Sequence, residues 1–307
     1  MDQIIDKIKN WAYQTEDVIG IIIVGSHARK EKPADEWADL DLLLIVKNFE
    51  KYFVNTTWLS EIGNVKLTHL EKTLFGDKER RVLFQLGDDC SAWAVDFVLT
   101  GSDFIANIKE KNLNPETLAV LSPGYRVLVD KMGFAKSLPP IGRLKRRSAK
   151  KPSRDDFTNC ANDFLFHIIW SAKKIQRGEL WLAHQCLGGY LKQRCLLPMI
   201  EWFMLAQHEW NYDVWYSGRF IEEWIDPEVL AALKNALPKY HKQDMIESLL
   251  SLLDLFKLLA RHTTAKLCCD YLDESHEWVT EWINKCFFKK NSEMKIKKET
   301  RPFQRKN

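Results

Sequence analysis

The residues best suited to chemistry lie in a short stretch between two apolar runs near the amino terminus. Gly25 and Ser26 end the first run, where glycine lets a ligand approach the backbone closely. Ser26 is expected to cap a short helix whose free N–H groups point at an anion. Asp39 and Asp41 begin the second run, and side chains two apart on a strand project to the same face. The pattern predicts a phosphate-binding turn beside two carboxylates of the kind that Mg²⁺ prefers.

A third acidic residue, Asp96, lies inside the strand-like run Ala92–Thr100. A carboxylate in such a run is costly to bury unless it is paired or binds a metal. A lone Asp-x-Asp is more often a solvated strand end, so the order of the motifs carries the argument. A phosphate-binding turn, a carboxylate pair and a third carboxylate together favour nucleotidyl transfer.

This order resembles the signature of the nucleotidyltransferase superfamily, in which Gly-Ser precedes an Asp-x-Asp pair and a later acid. The resemblance implies a polymerase-β-like domain with a mixed sheet. It implies three residues that are both metal ligands and catalytic groups: Asp39, Asp41 and Asp96. It implies contacts to the nucleotide phosphates from three residues of the first motif: Gly25, Ser26 and Arg29. A surface salt bridge is the alternative role for Arg29.

The elements that must position these residues follow from periodicity. Helical spacing covers residues 2–15, and buried strands are expected at 20–24 and 40–46. A helix is expected over 47–59, and further strands at 63–68, 80–85, 92–100 and 125–130. From Arg154 to about Phe288 the apolar pattern is helical throughout, with Asp155 or Asp156 as the first cap. The fold class is therefore α+β, a mixed-sheet domain followed by a helical bundle.

The chain of 307 residues is long enough for two domains, and its apolar content of 46% allows sizeable cores. The segment 137–154 contains Pro139 and Pro140 and then a basic stretch, which is typical of a linker. The expected organisation has four parts: a nucleotidyltransferase domain (1–136), a basic linker (137–154), a helical substrate-binding domain (155–288) and a basic, disordered tail (289–307).

The helical region narrows the resemblance. Its pattern of Phe164, Trp170, Lys173, Arg177 and Glu179, followed by Met199-Ile200-Glu201-Trp202, is similar to the aminoglycoside 6-adenylyltransferases, the streptomycin adenylyltransferase family. The resemblance covers about residues 1–285. It implies transfer of AMP from ATP to a streptomycin hydroxyl, with Mg²⁺ and release of pyrophosphate, and so a role in antibiotic resistance.

Further site residues are expected on the helical domain. Lys173 and Arg177 are four apart on one helix face and are suited to neutralise phosphate charge, with a solvated face as the alternative. Acceptor-binding residues are expected among acids, aromatic rings and a histidine: Glu179, His184, Glu201 and Trp202. The alternative is that the tryptophans form bundle core and the acids face solvent.

One departure from the family concerns the general base. Related enzymes place an acid shortly after the segment that matches Glu179, but no Asp or Glu lies between Leu180 and Leu197. Glu179 or His184 is a possible substitute, or Asp96 acts alone. The departure leaves two alternatives open: a different small-molecule or protein hydroxyl as acceptor, or nucleotide binding without turnover.

Composition limits the partners and the compartment. A net charge of +3 and the absence of a recognisable basic binding element argue against a nucleic-acid partner. Seven cysteines without metal-binding spacing, no signal-peptide pattern and no apolar run of membrane length favour a cytoplasmic protein with no membrane partner. The expected partners are a nucleoside triphosphate and a small, cationic, hydroxylated acceptor, and oligomeric state is not indicated.

Overall fold

The fold is described from a computed structural model of the chain, which covers residues 2–72, 78–85, 92–141 and 151–289. The chain divides into two compact units, residues 1–147 and 148–307. The division falls inside the segment expected to be a linker. Most of that segment's basic stretch, and nearly all of the expected tail, lie outside the described residues.

The first unit is built on a mixed sheet that has six strands in the described part of the chain. The strands are β1 (Val18–Ile23), β2 (Leu40–Val46), β3 (Asn64–Lys72), β4 (Lys78–Gln85), β5 (Ala92–Thr100) and β6 (Arg126–Asp130). Their order across the sheet is β3-β4-β5-β2-β1-β6. The β2–β5 pair is parallel and the other pairs are antiparallel. The predicted mixed sheet is confirmed.

Both faces of this sheet are covered by helices, because its central strands are apolar on both sides. The helices of this unit are α1 (Asp2–Gln14), α2 (Phe49–Val54), α3 (Leu59–Ile62), α4 (Asp103–Lys109) and α5 (Pro115–Leu121). Alternate β2 residues such as Leu42 and Leu44 pack in one apolar cluster with α1 to α3. Leu43 and Ile45 pack in the opposite cluster with α4 and α5. Asp41 shares the strand face of Leu43.

The helix expected over 47–59 is wrong as a single element. It is two short helices, α2 and α3, because Asn55 has an extended backbone and ends α2. The Asn55 side chain accepts a hydrogen bond from the Thr57 N–H at 2.8 Å. An asparagine that bonds the backbone two residues ahead stabilises a turn in competition with helix.

The second unit is helical in the part that the structure describes. Its helices are α6 (Arg154–Gln176), α7 (Leu180–Gln185), α8 (Leu197–Gln207), α9 (Ile221–Trp224), α10 (Pro227–Asn235), α11 (Lys242–Leu267) and α12 (Asp273–Asn284). They enclose one apolar core, in which the rings of Phe164 and Phe256 stack at 3.8 Å. The predicted helical bundle is confirmed, and no described helix is long and apolar enough to span a bilayer.

Two local features of this unit were not expected from the sequence. Ser153, not Asp155 or Asp156, caps α6, and Asp156 completes a capping box by bonding back to Ser153. Between α7 and α8 the chain remains helical through two π-helical segments, Cys186–Tyr190 and Lys192–Leu196. The chain therefore changes its helical winding at Gly188 and Gly189 without a break.

Candidate active site

The parallel pairing of β2 with β5 sets two of the predicted acids side by side. Asp41 lies directly opposite Asp96 in the strand register. Side chains at opposed positions of adjacent strands point to the same face, so both carboxylates lie on one side of the sheet. Asp39 stands two residues before Asp41, just outside the strand, and is exposed. Asp96 is buried, with 8% of its surface exposed.

The turn after β1 touches this acidic pair. Gly25 has a φ of +66°, and a Cβ placed on it would lie 2.0 Å from the Oδ2 atom of Asp41. Only glycine fits there, because the backbone is left-handed and the space is taken by the carboxylate. The Val24 N–H donates to the Asp41 carbonyl at 3.0 Å, which ties the turn to β2.

Ser26 lies inside a three-residue 3₁₀ turn, Gly25–His27, and is half-buried. The residue before this turn is Val24, and no side chain caps it. The expected capping role of Ser26 is wrong, because the turn begins one residue before it. The backbone carbonyl of Ser26 instead accepts a hydrogen bond from the Ala34 N–H at 3.0 Å, which closes the loop that leads to Asp39.

The loop that joins β1 to β2 is held by several internal contacts. Arg29 donates through Nε to the Lys32 carbonyl at 2.7 Å. The partly buried ring of His27 bonds the backbone of Ala38, and burial lowers the pKa of His27. Gly124 packs so closely that a Cβ there would lie 2.5 Å from the Ala28 carbonyl oxygen. Arg29 and Asp39 are therefore carried by a folded loop.

Two residues of β4 belong to this centre and were not expected from the sequence. Arg81 lies opposite Asp96 in the antiparallel β4–β5 register, and its Nε is 3.4 Å from Asp96 Oδ2. Its guanidinium also pairs with Glu79 at 3.4 Å and with Glu71 at 3.2 Å. Glu79 is buried, with 6% exposed. A fourth carboxylate and one arginine thus lie beside the predicted acids.

The electrostatics of the centre are dominated by its carboxylates. Burial, followed by repulsion from Glu79, raises the pKa of Asp96 to about 7, while Arg81 opposes that shift. The charges of Asp41 and Asp39 raise the pKa of Asp96 further. Crowded acids of this kind favour any ligand that brings positive charge.

The carboxylate oxygens of this centre are ligands of the kind that Mg²⁺ prefers. Mg²⁺ usually takes one or two protein carboxylates and completes its octahedron with water and substrate phosphates. Asp41 supplies a carboxylate against the glycine turn, and Asp96 lies on the same side of the sheet. The charge of Asp39 acts on Asp96 and helps to raise its pKa. Within the described ranges, no three His, Cys, Asp or Glu side chains form a ready-made metal cage. The arrangement fits an ion held jointly by the protein and by a nucleotide.

Three residues expected to contribute to the site lie at or just after the end of α6: Lys173, Arg177 and Glu179. Arg177 Nε is 2.5 Å from Glu179 Oε1, and Lys174 Nζ is 2.7 Å from Glu179 Oε2. The hydrogen bond from Lys174 is the main reason that the pKa of Glu179 is lowered. Lys173 is exposed on the same helix. The structure therefore brings Arg177 and Glu179 together as an ion pair.

The other expected acceptor-binding residues lie on α7 and α8. His184 packs edge-on against the Tyr240 ring, with centroids 5.5 Å apart. Burial raises the pKa of Glu201 to about 7. Trp202 is partly buried against the core and lies 6.2 Å from the Phe157 ring. These residues belong to the second compact unit, whereas the three aspartates belong to the first.

The two-unit architecture and the acidic centre define a nucleotidyltransferase, and comparison with known proteins gives the family. The family profile described as "Streptomycin adenylyltransferase" matches residues 1–286, and the chain belongs to that family. The predicted family and its enzymatic class are confirmed.

Curated relatives are similarly named but distant in sequence. An aminoglycoside 6-adenylyltransferase of Staphylococcus aureus is 23% identical over 232 residues, which cover 73% of this chain and 76% of the relative. One from Bacillus subtilis (strain 168) is 21% identical over 291 residues, covering 91% and 95%. A crystal structure of an aminoglycoside 6-adenyltransferase from Bacillus subtilis is 18% identical, covers 94% of this chain and 99% of its own, and has a TM-score of 0.44.

Proposed function

We propose that the protein transfers AMP from ATP to a hydroxyl group of an aminoglycoside such as streptomycin, with Mg²⁺, and releases pyrophosphate. One observation carries the proposal: Asp41 lies opposite Asp96 and against a glycine turn that only glycine can form. Membership of the streptomycin adenylyltransferase family supports the same reaction.

The acidic residues have separate roles in this proposal. Asp39 and Asp41 would hold the metal ion that also binds the triphosphate. Asp96 is a third ligand or accepts the proton of the attacking hydroxyl. When bound, Mg²⁺ stabilises charge on the phosphates and lowers the pKa of that hydroxyl. Arg81 and Glu79 hold the Asp96 carboxylate in place, since both lie in its ion-pair network.

The first-domain turn is the proposed phosphate-binding element. Gly25 allows the backbone to approach the triphosphate, and Ser26 binds the β- and γ-phosphates together with nearby N–H groups. Arg29 contributes positive charge from the folded loop. Lys173 and Arg177 are proposed to offset phosphate charge as well.

The acceptor is proposed to contact Glu179, His184, Glu201 and Trp202. The lack of Asp or Glu between Leu180 and Leu197 favours a second candidate, in which the acceptor is another small molecule or a protein hydroxyl. A nucleotide-binding protein without turnover is the third candidate. We infer that the protein acts in the cytoplasm, because the cysteines that the structure describes are free thiols.

In the test, the full chain is incubated with Mg²⁺, with ATP or GTP, and with a panel of aminoglycosides. The products are identified by mass spectrometry. Streptomycin should gain one AMP, and pyrophosphate should appear in an equal amount. An adduct on a different acceptor would support the second candidate. Nucleotide binding without any adduct would contradict both and support the third.

A further inference from the structure

Residues 290–307 lie outside both the described residues and the family profile, which ends at residue 286. Their sequence contains seven Lys or Arg side chains and two Glu side chains. Phe303 stands between Arg301 and Arg305 in this segment, so an aromatic ring has a cation on each side of it in the sequence. Disorder is expected of such a segment only when it has no partner, and an acidic, aromatic surface would be a suitable one.

The helical unit contains an acidic and aromatic groove. Its walls are the first half of α6, the π-helical segment that ends at Tyr190, and the first half of α12. Asp163 and Glu274 line it, and the lining residues that the structure describes include no Lys or Arg. Its volume of about 1030 Å³ is at the upper end of the range for drug-sized ligands, so it has room for several side chains of a peptide.

The negative charge of Glu274 is not balanced by a neighbouring cation. The two acids beside it on α12 are paired, Asp273 with Arg261 at 2.7 Å and Glu277 with Lys257 at 3.4 Å. Glu274 itself forms no ion pair with any residue that the structure describes. The groove therefore attracts positive charge and disfavours anions.

The other acid of the groove, Asp163, is fixed in orientation. The Tyr190 hydroxyl donates to both of its carboxylate oxygens, at 3.2 and 3.1 Å. The His167 Nδ1 atom lies 2.7 Å from Asp163 Oδ1. An acid held in this way loses little conformational freedom when a cation binds nearby, which favours affinity.

Two large aromatic rings are exposed in the same groove. Phe166 is 66% exposed and Trp278 is 60% exposed, and both line it. Large apolar side chains that are exposed together are typical of surfaces that bind a partner. The face of an aromatic ring also attracts the guanidinium group of an arginine. The groove therefore suits an aromatic side chain that is accompanied by cations.

The segment starts close enough to reach this groove. Gln176, the last residue of α6, donates to the Cys286 carbonyl at 2.9 Å, so the end of α6 meets the turn that follows α12. Because the first halves of both helices line the groove, the two helices run in the same direction. Val279 of the groove precedes Lys289 by ten residues, which is about 15 Å along a helix. Eighteen residues can span up to about 60 Å, so the segment is long enough to fold back along both helices.

We propose that residues 290–307 bind this groove of their own chain, with Phe303 packed on Trp278 and the flanking cations directed to Glu274 and Asp163. The same chain is favoured over a second copy, because a segment tethered this closely has an effective concentration of about 1 mM. The contact does not require the proposed reaction, and its failure leaves the proposed function unchanged.

Photochemical cross-linking of the full chain tests the contact. Benzoylphenylalanine replaces Phe303, which keeps an aromatic ring at that position, and mass spectrometry identifies the residues joined to it after irradiation. Most of the product should join position 303 to residues of the groove, above all Trp278. Products spread over the whole surface, or confined to the nearer second half of α12, would overturn the proposal.

Isotope labelling distinguishes binding within one chain from binding between two. Equal amounts of ordinary and heavy-nitrogen protein are mixed at micromolar concentration and irradiated. Each joined peptide pair should carry a single label, because both peptides come from one chain. Pairs that carry both labels as often as chance allows would show that a second copy supplies the segment, which would contradict the proposal.

Two groove variants test the chemistry of the contact. Trp278→Ala and Glu274→Lys should each reduce the groove product about fivefold, because the first removes an exposed ring and the second reverses an exposed charge. Both side chains are exposed, so the variants should fold.

Matched controls come from the same unit. Trp181 is 62% exposed and Glu281 is exposed on α12, and neither lines the groove. Trp181→Ala and Glu281→Lys should leave the yield within about twofold of that of the chain without these changes. An equal fall in the control and groove variants, or no fall in any of them, would overturn the assignment.

Discussion

At the residue scale, the contact between Gly25 and Asp41 sets the geometry of the acidic centre. The space for a Cβ at Gly25 is occupied by the Asp41 carboxylate. Any larger residue must therefore move either the turn or the acid. Because the turn and the acid are proposed to hold the triphosphate and its metal, a small displacement here affects catalysis more than stability.

We expect Gly25→Ala to reduce pyrophosphate release about a hundredfold, since misplacing a catalytic group by about 1 Å has effects of that size. Gly133→Ala is the matched control, because Gly133 has a similar φ of +68° and nothing lies within 4 Å of its Cβ position. The control should lose about 1 kcal/mol of stability and keep its activity. Equal activity in the two variants would show that the turn does not shape the centre.

Some residues of the acidic centre can be predicted from the sequence and others cannot. Asp39 and Asp41 are predictable because their two-residue spacing is local. The contribution of Arg81 is not, because it depends on the register between β4 and β5. The neighbouring Arg80 points to the other face and donates to the carbonyls of Tyr52 and Phe53. Two adjacent arginines in a strand thus have unrelated roles that the sequence alone does not separate.

At the element scale, the start of α12 is fixed by a buried histidine. His276 is 2% exposed, and its Nδ1 lies 2.7 Å from the Tyr271 hydroxyl. Burial, followed by the nearby charge of Lys257, lowers the pKa of His276 to about 4. The unfolded chain therefore binds a proton between about pH 6.5 and 4 that the folded chain does not. The contribution of neutral His276 to the free energy of unfolding is complete above about pH 6.5. It is lost as the pH falls from about 6.5 to 4.

We expect this histidine to remove about 2 kcal/mol of unfolding free energy between pH 7.5 and pH 5. Urea unfolding at the two pH values measures the difference. His276→Gln should be less stable at pH 7.5 but should lack this part of the pH dependence. His208→Gln is the control, because His208 is exposed, and it should respond to pH as the wild type does. A wild-type response in His276→Gln would contradict the assignment.

Element boundaries were predictable where a cap or a proline marks them. Asp226 caps α10, and Pro227 occupies its first turn. The cap of α6 is Ser153 and not an aspartate, because Ser153 and Asp156 bond to each other and either residue type can start a helix. The π-helical segments were missed because backbone hydrogen-bond shifts leave no clear trace in apolar spacing.

At the scale of the whole molecule, two compact units each enclose their own apolar core. In the sequence, strand periodicity is found in the first of these units and helix periodicity in the second. The identity of the acceptor cannot be predicted from periodicity, because it depends on which side chains, distant in sequence, the fold brings together. Relatives of about 20% identity share the family and leave room for such changes.

The role of the acidic centre is tested by the rate of pyrophosphate release, with ATP, Mg²⁺ and streptomycin, by Asp41→Asn and Asp96→Asn. Both variants keep the size of the side chain and remove its charge. Asp6→Asn is the control, because Asp6 is exposed on α1. If these aspartates hold the metal and the reacting groups, the rate should fall about a thousandfold in both site variants and should not change in the control. Activity near the wild-type rate in either site variant, with the fold intact, would contradict it.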